Sequence, residues 1–133
     1  MIRGVHHINL LVRDLERAMQ QYAQVLDVGD FVVEHLPTRG VKTARFRAGE
    51  TWIVLVEPIA EGEPADVLAE QGEGLFLLSL AVDDLDSARR EISARGGSFT
   101  APVPRKGIAN WKIIDIAPDD VAGARLQLAV DLP

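Results

Sequence analysis

The chain has 133 residues, a net charge of −6 with acidic and basic side chains interspersed, no cysteine, and 5% aromatic residues. That length suits one domain with a sizeable core or two half-size modules that share one, and the acidic balance argues against a nucleic-acid partner, which needs a basic patch to neutralise phosphates. Lack of cysteine excludes disulfides, thiolate metal sites and a cysteine nucleophile, and no apolar run reaches the roughly 18 residues that span a bilayer, so a cytoplasmic protein with no membrane partner is expected.

In chain order, Val5 to Val12 reads as a strand, β-branched and apolar, followed by Asp14 as the N-cap of a helix that begins at Leu15. Leu15, Ala18, Met19, Tyr22, Val25 and Leu26 recur at helical spacing, with Glu16, Arg17, Gln20, Gln21 and Gln24 on the other face. Past Gly29, strands are predicted at Phe31 to His35, Val41 to Phe46 and Trp52 to Val56, separated by Pro37/Gly40 and Gly49-Glu50. Pro58 to Pro64 is a polar linker, and Ala65 to Gln71 suits a short helix. Leu75 to Val82 is then a strand, Leu85 to Arg95 a helix capped by Asp84, and Gly96-Gly97 its stop. Short strands are predicted near Ser98 to Ala101, Trp111 to Ile116 and Arg125 to Val130.

Val5 to Ala18 and Leu75 to Ala88 are one segment written twice, with Leu10/Leu80, Val12/Val82, Asp14/Asp84, Leu15/Leu85 and Ala18/Ala88 identical at the shared offset. Each half is therefore β-α-β-β-β, module one covering about residues 1–64 and module two about 65–133 of a single domain. One such unit has an apolar sheet face that it cannot bury alone. The expected fold is α+β, two tandem βαβββ modules forming a curved mixed sheet with a cleft. Strand alternation puts His7, Asn9 and Leu11 on one face and Ile8, Leu10 and Val12 on the other, with His7 and Asn9 toward the cleft.

Duplicated βαβββ modules that open on a His-Ile strand resemble the vicinal oxygen chelate superfamily, which includes glyoxalase I, extradiol dioxygenases and bleomycin-resistance proteins. Within it, HINLLVRDLERAMQQY, VEPIAEGEPADVLAEQGEGL running into LAVDDLD, and the spacing from APDDVAG to LQL are similar to methylmalonyl-CoA epimerases. The resemblance implies four metal ligands in the cleft. Their positions fall on His7, Val54, Leu77 and Gln127, and the epimerase acid/base falls on Thr38. Valine and leucine supply no donor, and neither His7 nor Gln127 is anionic, so a divalent ion there would keep its whole charge in a partly apolar site. Parity turns Glu57 and His6 away from the cleft, whereas His35 and Glu34 sit at a strand end where a bulge could bring one of them inward.

The reading that follows is a protein that binds a small organic molecule with no cofactor. His7 is the candidate acid/base, and Asn9, Trp52, Ser79, Trp111 and Gln127 are candidate ligand contacts. Its alternative is a metal-dependent lyase or isomerase in which His7 and Gln127 hold Zn, Ni, Co, Mn or Fe weakly and a proton moves next to a carbonyl. An extradiol dioxygenase is disfavoured, because its iron needs two histidines and a carboxylate. Arg39, Lys42, Arg45 and Arg47 form a basic run that either holds a carboxylate, phosphate or acyl-CoA tail or is a solvated strand face. Members of the superfamily often complete their clefts by pairing, which implies a homodimer.

Overall fold

The computed structural model describes residues 1–133 and contains eight strands and three α-helices: β1 (Ile2–Leu11), α1 (Leu15–Leu26), β2 (Val32–Leu36), β3 (Val41–Ala48), β4 (Thr51–Pro58), α2 (Glu63–Gln71), β5 (Gly74–Val82), α3 (Leu85–Ala94), β6 (Arg105–Lys106), β7 (Trp111–Asp115) and β8 (Leu126–Asp131). Apart from the added helix α2, the order is βαβββ twice, an α+β fold as expected. No helix is long and apolar enough to cross a membrane.

The chain divides into two compact units, one of residues 8–76 and one of residues 1–7 with 77–133, so that β1 runs through both. In the first unit β2, β3 and β4 pair antiparallel, with Ala44 opposite Leu55 and Phe46 opposite Ile53. Ala44 and Leu55 are fully buried and meet Val12, Leu15 and Ala18, so this sheet face packs on α1. Phe46 extends the contact through Tyr22 and Phe31, with ring centroids 5.9 and 5.7 Å away. In the second unit β5 pairs parallel with β8, and β8, β7 and β6 follow antiparallel. Val82, Leu85, Ala88, Ile114, Ile116 and Leu128 form its core against α3.

The repeat is visible in the helix starts. Asp14 accepts a hydrogen bond from the Arg17 amide and Asp84 from the Ser87 amide, each at 3.1 Å and each from an extended N-cap backbone. Such a cap contributes about 1 kcal/mol by satisfying one of the four orphan amides of a first turn. Glu57, which faces away from the helix-free side as parity required, accepts from the Leu15 amide at 2.8 Å and serves the same turn of α1. Past α3, Gly96 takes φ +92° and the Gly97 amide returns to the Ile92 carbonyl at 2.9 Å. A Cβ on Gly97 would lie 2.5 Å from the Ile92 side chain, so the glycine pair is needed for the stop.

Two elements differ from expectation. No strand forms at Ser98 to Ala101; only a single bridge joins Phe99 to Ile116, and the next strand is the two-residue β6. Pro102 and Pro104 have no amide proton to continue the ladder, so the chain leaves β7 and rejoins it at Arg105. Helix α2 starts at Glu63, two residues early, because Pro64 occupies its first turn, where a missing amide proton costs nothing.

Candidate functional site

In the second unit the helix-free sheet face is built by register. Ser79 on β5 lies beside Gln127 on β8, and Gln127 lies opposite Asp115 on β7, so one polar row crosses three strands. Ser79 and Gln127 are almost fully buried. Their Oγ and Oε1 atoms have no hydrogen-bond partner, a condition that costs about 1–3 kcal/mol per group. Asp115 is ion-paired with Arg105, and both are half-buried. Trp111 stands two strand-pairs further along, opposite Asp131, and is buried.

The His7 ring stacks on Trp111, with centroids 4.5 Å apart and planes 19° from parallel, and it is 3% exposed. His6 meets the same indole edge-on at 4.9 Å. The Nδ1 atoms of the two histidines are 2.9 Å apart, and His6 Nε2 lies 3.2 Å from Asp131 Oδ1. An ionised carboxylate only accepts, so when both rings are neutral Asp131 fixes the His6 proton on Nε2. His6 Nδ1 then accepts from the Nδ1–H of His7, which leaves Nε2 as the lone-pair nitrogen of His7. The Gln127 amide faces the same ring.

Burial pushes the His7 imidazole down to about 3, the neighbouring His6 adds to the shift, and the nearby Gln127 side chain opposes it. His7 is thus neutral throughout the physiological range. Chemically, the cluster offers a neutral imidazole, a hydroxyl and an amide oxygen in a desolvated setting. A carboxylate stands one strand away on the same face.

Of the residues singled out by sequence, His7, Ser79, Trp111 and Gln127 belong to this unit, and His7, Trp111 and Gln127 are in mutual register or contact. Asn9 and Trp52 belong to the other unit. Asn9 is half-buried, with an Oδ1 that lacks a partner. Trp52 is half-buried beneath two arginines, Arg45 at 5.1 Å and Arg47 at 4.8 Å from its ring centroid. The basic run is not a uniformly solvated face: Arg45 is 8% exposed and ion-paired with Glu34 at 3.0 Å. Its partner Glu34 shares the face of Val54, because Glu34 pairs with Thr43, two residues from Arg45, which pairs with Val54. His35 is exposed, and Thr38 lies in an exposed 3-10 turn.

Sequence reasoning missed His6, Asp131, Asp115 and Arg105. Alternation turned His6 away from His7, but it fixes only the Cα–Cβ direction. A ring on two rotatable bonds still swings round to reach its neighbour. Nothing local in the sequence marks Asp131, which is 125 positions from His6.

A family model described as the Glyoxalase/Bleomycin resistance protein/Dioxygenase superfamily matches residues 6–114. The ethylmalonyl-CoA/methylmalonyl-CoA epimerase of Cereibacter sphaeroides is 26% identical over 131 residues, covering 96% of this chain and 98% of that protein. An uncharacterised protein of Bacillus subtilis, YqjC, is 26% identical over 92% of this chain and 88% of its own. Among solved structures, the methylmalonyl-CoA epimerase of Mycobacterium tuberculosis superposes with a TM-score of 0.94 at 27% identity, covering 99% of this chain and 90% of that one. A variant of the Streptomyces coelicolor epimerase in complex with 2-nitronate-propionyl-CoA gives 0.91 at 22%, with both chains fully covered. With the family model spanning most of its length and the duplicated βαβββ order in its fold, the chain belongs to the Glyoxalase/Bleomycin resistance protein/Dioxygenase superfamily, as its opening strand and repeat implied.

Proposed function

We propose that this protein binds a small organic molecule at the His7, Ser79 and Gln127 face and does so without a tightly held divalent metal. The observation that carries the reading is the pair of buried oxygens, Ser79 Oγ and Gln127 Oε1, left without partners beside a neutral imidazole. A ligand carrying a hydroxyl or amide hydrogen would satisfy both oxygens, and a ligand carbonyl would accept from the Ser79 hydroxyl. Trp111 supplies an apolar wall.

A divalent centre in this superfamily's chemistry requires about three or four donors. His7 and Gln127 supply two, neither anionic, and no group of three His, Cys, Asp or Glu side chains converges in the chain. The residues therefore do not fit a divalent ion. Proton transfer next to a carbonyl, if catalysed here, would fall to His7 Nε2.

Metal analysis of protein purified without chelator is expected to show far less than one equivalent of Zn, Ni, Co, Mn or Fe. Near-stoichiometric metal that disappears in His7→Ala would overturn the proposal in favour of a metal-dependent lyase or isomerase. Thermal shift with acyl-CoA esters is the first ligand test, because an epimerase of the same fold has been solved with such a compound. A specific ligand raises Tm with concentration. The same reading includes a homodimer, with the exposed apolar residues Val25, Leu26, Val32 and Val33 available to a second copy. Light scattering on the eluting protein should give twice the 14.5 kDa chain mass, and a monomer at all concentrations would count against it.

A further inference from the structure

We propose that Arg45 and Arg47, held against the Trp52 indole on the helix-free face of β3 and β4, form a binding site for an oxyanion, the carboxylate or phosphate group of a small ligand. Every residue in the site belongs to the unit of residues 8–76.

Register creates it. Arg47 lies directly opposite Trp52 and Arg45 opposite Val54, so both arginines and the indole project from one face while Ala44, Phe46 and Leu55 turn to the core under α1. Trp52 is the direct cross-strand neighbour of one arginine and the diagonal neighbour of the other, which is within reach of long side chains. Both guanidinium carbons lie about 5 Å from one ring centroid, hence no more than about 10 Å from each other. Lys42 takes no part, because it pairs with His35 and Glu57 on the opposite face.

The charges do not balance. Glu34 answers Arg45 at 3.0 Å, whereas the exposed Arg47 has the indole but no carboxylate partner. A guanidinium buried to the extent of Arg45 costs several kcal/mol unless it is paired, and a second cation beside it adds repulsion. An anion bound at the exposed Arg47 guanidinium offsets that repulsion. A guanidinium stacked on an aromatic face keeps its N–H fork directed outward in one plane, the geometry that grips a carboxylate or phosphate with two parallel hydrogen bonds. Exposed strand arginines are ordinarily solvated surface; the buried member and the shared indole set this pair apart.

The test follows the indole N–H signals of the two tryptophans by 1H–15N NMR, assigned with Trp52→Phe, during titration with malonate and with inorganic phosphate at constant ionic strength. Saturable movement of the Trp52 signal with at least one of them, weakened about tenfold in Arg47→Gln and in Arg45→Lys, is expected. Whichever anion binds names the ligand group. Absence of saturable movement with both anions, or affinities unchanged in the variants, would overturn the proposal. Spectral dispersion reports folding in the same experiment, and if Arg45→Lys does not fold, the exposed Arg47→Gln decides the outcome alone.

Discussion

Replacing Trp111 by alanine is expected to lower the stability of the protein by about 3–5 kcal/mol, the usual cost of deleting a large aromatic side chain from a packed interior. Trp111 is 3% exposed and is the surface on which both His6 and His7 rest, so its removal leaves a cavity walled by two polar rings. The corresponding fall in Tm is on the order of 10–20 °C for a chain of this size. Trp111→Phe, which keeps a ring for His7 to stack on, should lose less than half as much. Chemical denaturation of the three proteins decides the matter, and a Trp111→Ala variant within about 1 kcal/mol of the parent would show that the indole is not a structural anchor.

Acid should destabilise the protein through His7, beginning below about pH 6.5. Its native imidazole is held down to about 3, chiefly by burial, whereas the unfolded chain takes up that proton near the ordinary value of about 6.5. Between these values the unfolded state binds more protons than the native state, so stability falls as pH falls. Above about pH 6.5 the loss is absent. Down to pH 4 it accumulates to on the order of 3 kcal/mol. Urea unfolding at pH 7, 5.5 and 4.5 should therefore show a steeper loss in the parent than in His7→Gln, which does not titrate; the comparison also subtracts the carboxylates common to both. Identical slopes would mean that His7 is protonated at its ordinary value and is not desolvated. The two predictions are coupled, because Trp111→Ala admits water to the imidazole and should flatten the His7 contribution as well.

How much of this was legible in the sequence depended on the range of the interaction. The strand at Val5, the amphipathic pattern from Leu15 and the caps Asp14 and Asp84 all rest on contacts within a few positions, and all are present. The same local reading failed at Ser98 to Ala101, where strand-like residues run into two prolines that cannot continue a ladder. Of the candidate site, the strand positions of His7, Ser79 and Gln127 were legible from parity and the resemblance, and Trp111 from the scarcity of aromatic residues. The residues that complete their surroundings were not. Asp131 reaches His6 only because β7 sets Trp111 opposite Asp131, and Asp115 joins the polar row only because the β7–β8 register places it opposite Gln127. Arg45 and Arg47 were two of four basic residues in a run until the β3–β4 register set them on one indole.

By itself, the sequence determined the duplicated βαβββ order, the helix caps, the family and the presence of a histidine on the first strand where the second copy carries Leu77. Those features follow from local propensity, periodicity and self-similarity, which act between near neighbours or between copies of one segment. That His7 is a buried, stacked ring in a chain running to His6 and Asp131, and that two arginines share Trp52, came only from the folded chain. Each of those facts depends on which residues of distant strands stand opposite one another, and pairing register is set by the packing of whole sheets rather than by any short stretch of chain.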